Sequence, residues 1–131
     1  MTERNVLGGP LEVCGSDPVT GWFRDGCCRP EPSGMSTHLI CAVVTAEFLA
    51  HQQSIGNDLG TPQPSIGFEG LEPGDKWCVT APNWRRAYED GCASFVVLAA
   101  TSEHALRYVS IEMLREHAVD VPADPGALDQ A

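Results

Sequence analysis

The residues with the widest chemical reach in this sequence are cysteines and histidines, six and four of them in a chain of 131. Cys14, Cys28, His38, Cys41 and Cys78 are the candidate metal ligands. Thiolate sulfur and imidazole nitrogen are the donors that a transition metal such as zinc selects, with Cu(I) or an iron centre as other takers. The spacing is weaker than the residue types, since no Cys-x-x-Cys pair occurs. Cys27 and Cys28 are adjacent, and neighbours of that kind rarely chelate one ion, so they are expected to point different ways. His38 and Cys41 stand three apart, which converges on a helix or turn and diverges on a strand.

The same residues support a catalytic reading. Cys28 would be the thiolate, His38 its base or hydrogen-bonding partner, and Arg24 the local charge that lowers a thiol pKa. Asp58 is a further candidate, as a carboxylate acid or base. Each has a plainer alternative. Arg24 and Asp25 would pair across a turn at Gly26, and Asn57-Asp58 with Thr61-Pro62 forms a side-chain-stabilised turn. Cysteine is also among the most buried residue types, and Cys92 is read as a small buried residue. His51, His104 and His117 are expected to face solvent.

The elements that must position these groups follow from turn signals and periodicity. From Asn5 to Gly34 the chain is rich in Gly, Pro, Asp and Ser, and reads as an ordered loop region. His38 to Val44 suits a buried strand, after which Thr45 caps a helix that ends at Gly56. Alternation over Lys76 to Ala81 predicts a second strand with Trp77, Val79 and Ala81 on one face and Cys78 and Thr80 on the other. Pro82 sits in the first turn of a helix with Trp84, Ala87 and Tyr88 on one side, closed by Gly91. Phe95 to Ala100 reads as a third, apolar strand, and Ser102 and Ser110 each open a short helix. The fold class is therefore α+β: a small three- or four-stranded sheet with packed helices and a long ordered N-terminal loop region. Residues 1–119 are expected to form one domain, and 120–131 a flexible acidic tail.

Composition bounds the partners. A formal charge of −10, with no basic patch, argues against nucleic acid. No apolar run is long enough for a membrane span, and no leader-like segment opens the chain, so the expected compartment is the cytoplasm. There, most of the cysteines would be free thiols. A small molecule and a homo-oligomer remain open as partners.

The runs Asn-Val-Leu-Gly-Gly-Pro-Leu (5–11), Asp-Pro-Val-Thr-Gly-Trp-Phe-Arg-Asp-Gly-Cys-Cys (17–28), His38 with Cys41-Ala42, Gly-Asn-Asp-Leu (56–59), and Gly-Asp-Lys-Trp-Cys (74–78) follow one another in a specific order. Together they resemble one bacterial family, the uncharacterised domain of unknown function 2237. The resemblance extends to about Ala118. It implies a small single-domain protein, and it places Cys14, Arg24, Asp25, Cys28, His38, Cys41, Asn57, Asp58, Trp77 and Cys78 on family positions without assigning them an activity. The sequence departs from the pattern at Thr80, where a second cysteine would follow Cys78, and at Ser102, where a histidine would stand.

Two readings of function result. In the first, the N-terminal loop crosses the sheet and brings the cysteines and His38 to a cleft for thiol- or metal-dependent chemistry on a small molecule. In the second, the protein is a non-catalytic ligand-binding or accessory protein whose cysteines are simply packed.

Overall fold

The computed structural model describes residues 3–15, 20, 26–30, 37–66 and 70–120. Arg24, most of the 16–36 stretch and the tail beyond Asp120 lie outside them, so the expected N-terminal loop region is described only in part.

Strand β1 (His38–Val43) is the centre of a three-stranded antiparallel sheet ordered β2-β1-β3, with β2 at Lys76–Thr80 and β3 at Phe95–Val96. Helix α1 (Ala46–Ser54) follows β1 directly. Its first turn is closed by Thr45, whose hydroxyl accepts from the Phe48 N–H at 3.1 Å. Gly56, at φ +86°, takes the left-handed conformation that ends it. Helix α2 (Ala81–Glu89) begins on the residue after β2 with proline in its first turn. Helix α3 (Ile111–Glu116) is capped by Ser110, which accepts from the Met113 N–H at 3.2 Å. These elements make the fold α+β.

Alternation divides the sheet into two faces, because residues opposite one another in a ladder point the same way. Ile40 opposite Val79, and Ala42 opposite Trp77 and Val96, belong to the main core with Phe48, Trp84, Ala87, Leu98 and Leu114. The other face carries Cys41 opposite Cys78, His38 opposite Thr80 and Val43 opposite Lys76. N-terminal residues lie over this second face: Cys14, Cys28, Cys41, Cys78 and Ala100 form a separate buried cluster.

The expectations for the third strand and for three histidines need correction. The third strand stops after two residues. Leu98–Ala100 is a 3-10 turn in which Leu98 and Ala99 donate their N–H groups to the Asp120 carboxylate at 2.8 and 3.0 Å. A short apolar run does not by itself distinguish a strand from a buried turn. His51 does not face solvent. Its side chain is 7% exposed, with Nε2 2.7 Å from Asp90 Oδ2 and Nδ1 3.1 Å from the buried Gln52 amide. An amide donating to Nδ1 fixes the proton on Nε2, which then donates to Asp90. His117 likewise packs edge-on against Trp84 and Tyr88, at ring-centroid distances of 5.9 and 5.8 Å. His104 is half-buried, 4.0 Å from the Glu3 carboxylate.

Candidate functional site

The site is built on one facing pair. Cys41 in β1 and Cys78 in β2 are register partners on the sheet's second face, and each backbone N–H is held by a buried threonine. The Cys41 N–H donates to Thr101 Oγ1 at 3.2 Å, and the Thr101 hydroxyl donates in turn to the Val97 carbonyl at 2.8 Å. The Cys78 N–H donates to Thr20 Oγ1 at 2.7 Å. Two N-terminal pieces bring the other sulfurs. The Cys14 N–H donates to the Gly26 carbonyl at 2.6 Å, and Cys28 forms a parallel bridge with Thr101. Gly26 makes that approach at φ +86°, where a Cβ would lie 2.9 Å from the Gly15 carbonyl oxygen.

Four sulfurs thereby meet at one point. Cys14 is bonded to Cys41 and Cys28 to Cys78, with Cα separations of 5.5 and 5.2 Å. The sulfurs of Cys14, Cys28 and Cys78 all lie within 4.8 Å of one another. The four residues are 0–3% exposed. The expectation that most cysteines are free thiols is therefore not met: Cys27 and Cys92, both half-buried, are the cysteines outside the disulfides. That expectation rested on compartment, whereas the pairing follows from where the ladder and the N-terminal turns set the backbones.

His38 reaches the same face by an irregularity in the ladder. The register shifts between His38 and Ile40, so Leu39 is an extra residue opposite the Val79–Thr80 step. His38 then pairs with Thr80, on the side of Cys78, although it stands three positions from Cys41. Two residues along β2 place that position about 7 Å from the Cys41–Cys78 pair. His38 is not in the tight sulfur group. Thr80, where the resembled family would carry a further cysteine, has its Oγ1 buried without a hydrogen-bond partner.

Asp58 is placed differently from the cysteines. Its Oδ1 accepts from the Gly60 and Thr61 N–H groups, both at 3.1 Å. Hydrogen bonding by the Thr61 side chain and backbone holds its carboxyl below the ordinary value. The carboxylate serves as the clasp of an exposed turn. Arg24 lies outside the described residues. The threonine shell was the part of the site that residue reading missed. Buried threonines opposite cysteines leave no local periodic signal, and the pairing of Thr20 with Cys78 spans 58 residues.

Chemically, the arrangement holds four buried sulfurs as two disulfides side by side. On reduction the same atoms would become four thiols, the softest ligand set a protein offers. Among the described residues no helix is long and apolar enough to cross a membrane. No curated protein matches the sequence. A family model does, over residues 4–118, and that stretch contains every residue of the cluster. The chain belongs to the family of uncharacterised proteins conserved in bacteria known as domain of unknown function 2237.

Proposed function

We propose that the protein is a thiol–disulfide redox protein whose four-cysteine cluster cycles between two disulfides and four thiols. The observation that carries this reading is the contact between the two disulfides: the Cys14 sulfur lies within 4.8 Å of both Cys28 and Cys78. A thiolate released at Cys14 is thus in reach of the second disulfide, which permits internal exchange without rearranging the backbone.

The cycle starts at Cys14, the most exposed of the four at 3%, which sits between the exposed Val13 and the half-exposed Gly15. An external thiolate attacks Cys14 Sγ and the bond to Cys41 breaks, with Cys41 leaving as a thiolate that takes up a proton. A second external thiolate resolves the mixed disulfide, so two thiols become one disulfide and Cys14 is freed as a thiolate. That thiolate then attacks the Cys28–Cys78 bond, forming a bond to one of these sulfurs and releasing the other as a thiolate. Two further external thiols reduce the transferred bond and leave as a disulfide, so that four thiols result. His38, on the same face, serves as proton donor and acceptor for the departing sulfurs. In this reading Arg24, two residues before Gly26 in sequence, would favour the thiolates by its charge. A cytoplasmic setting fits this reading, because disulfides in a reducing compartment are generally transient and catalytic or sensing. The small-molecule substrate is then a low-molecular-weight thiol or its disulfide.

The test is a redox titration in mixtures of oxidised and reduced dithiothreitol, with alkylated thiols counted by mass. Two alkylated thiols at the oxidising end and six at the reducing end, reversibly and with the fold intact, are expected. Six thiols throughout would remove the redox reading. Two disulfides that yield only on unfolding would assign the cysteines to packing, as in an accessory protein.

A further inference from the structure

We infer that the reduced cluster is a closed metal site, in which the thiolates of Cys14, Cys28, Cys41 and Cys78 take one soft divalent ion, zinc foremost. The inference rests on the redox reading, because a disulfide sulfur has no charge to give a metal and the four thiols must first be released.

The geometry is close to what zinc requires. A tetrahedral centre with zinc–sulfur bonds of about 2.3 Å sets its sulfurs about 3.8 Å apart. Three of the four already lie within 4.8 Å of one another, and the fourth is bonded to one of these. The backbones are fixed by contacts other than the sulfur bonds. Cys41 and Cys78 are held by the β1–β2 ladder and by Thr101 and Thr20, Cys14 by Gly26, and Cys28 by its bridge to Thr101. Reduction leaves these in place, so side-chain rotation alone can open the sulfurs to coordination distance. Four buried ligands leave no open position for substrate, which makes the site structural rather than catalytic. His38, on the same face but one ladder step away, is not needed to complete it.

A dithiol reductant gives two electrons and two protons to each disulfide and becomes a disulfide itself. Zinc then displaces the four thiol protons and is held by four thiolates. Oxidation of either pair by a low-molecular-weight disulfide, which takes the two electrons and leaves as two thiols, withdraws two ligands at once and releases the ion. The cluster therefore holds either two disulfides or a metal.

The experiment uses the full chain, reduced under anaerobic conditions with a non-chelating phosphine and dialysed against zinc or Co²⁺. One ion per chain is expected, with the absorption of tetrahedral cobalt–thiolate coordination and four sulfur neighbours by X-ray absorption. The Cys27→Ser, Cys92→Ser double variant and His38→Gln should keep the ion. Cys14→Ser and Cys78→Ser should lose affinity by more than the roughly 10–100-fold of an outer-shell change. The sulfur count on the unmodified chain decides the matter if a serine variant fails to fold. Reduced protein that binds no ion, or an ion lost in the Cys27/Cys92 double variant, would overturn the inference. Reversible disulfides with no metal binding would leave the redox reading standing alone. Metal bound by cysteines that never form disulfides would keep the site and remove the redox reading.

Discussion

Cys41 and Cys78 face each other across the β1–β2 ladder, yet neither is bonded to the other; each reaches out of the sheet to a cysteine of the N-terminal segment. The sheet supplies two fixed sulfurs and the loops supply two that are held against them. Loss of one partner should therefore send its mate to a neighbouring sulfur rather than to solvent.

Cys41→Ser tests this directly. Cys14 is released within 4.8 Å of Cys28 and Cys78, and exchange should link it to one of them. Non-reducing peptide mapping is expected to recover a Cys14–Cys28 or Cys14–Cys78 peptide. Recovery of Cys14 only as a free thiol, beside an intact Cys28–Cys78 bond, would show that the sulfurs cannot exchange.

Thr101→Val should destabilise the oxidised protein although it leaves every cysteine in place. Thr101 is fully buried and its hydroxyl both accepts from Cys41 N–H and donates to the Val97 carbonyl. The isosteric change strands a donor, at a cost of about 1–3 kcal/mol. Thermal unfolding should fall by roughly 3–6 °C per kcal/mol at this chain length. An unchanged melting temperature would mean that the Cys41 N–H finds another acceptor.

Gly26→Ala strains a position at φ +86° and drives a methyl to 2.9 Å from the Gly15 oxygen and 3.0 Å from Val13 Cγ1. Since the Gly26 carbonyl accepts from the N–H of Cys14, the displacement reaches the disulfide. A destabilisation of more than about 1 kcal/mol is expected, with faster reduction of Cys14–Cys41 by dithiothreitol at fixed concentration. Equal reduction rates in variant and parent would separate the turn from the cluster.

How much of this could be read from the chain depended on how local the cause was. Thr45, Gly56, Gly91 and Ser110 act on their own helix ends, so the helices were visible in sequence. The extra residue at Leu39, which turns His38 to the cysteine face, has no local signature, and strict alternation places the histidine on the wrong side. His51 looked exposed because Asp90, its hydrogen-bond partner, lies 39 residues away. The cysteines were suggested by type alone. Their pairing needed the β1–β2 register and the course of two loops, neither of which spacing encodes.

Asp58 carries a pH dependence of defined sign. Its carboxyl titrates below the ordinary value of 3.8, so its clasp is complete above that pH and is lost as pH falls through the lowered value. Amide exchange at Gly60 and Thr61, measured against the intrinsic rate, should lose protection on acidification below about pH 4. Asp58→Asn should abolish that acid step. Protection that falls identically in both proteins would assign the step to another group.

The order of the bonded cysteines along the chain, first to third and second to fourth, makes two covalent rings that overlap between residues 28 and 41, with closures spanning 27 and 50 residues. Each closure removes about 3–4 kcal/mol of chain entropy from the unfolded ensemble. A chain melted with both bonds intact stays a double ring, with strand partners 37 positions apart already tethered near each other. Its refolding should resemble that of a protein with mostly local contacts, whereas the reduced chain must search for the same pairs across the full separation.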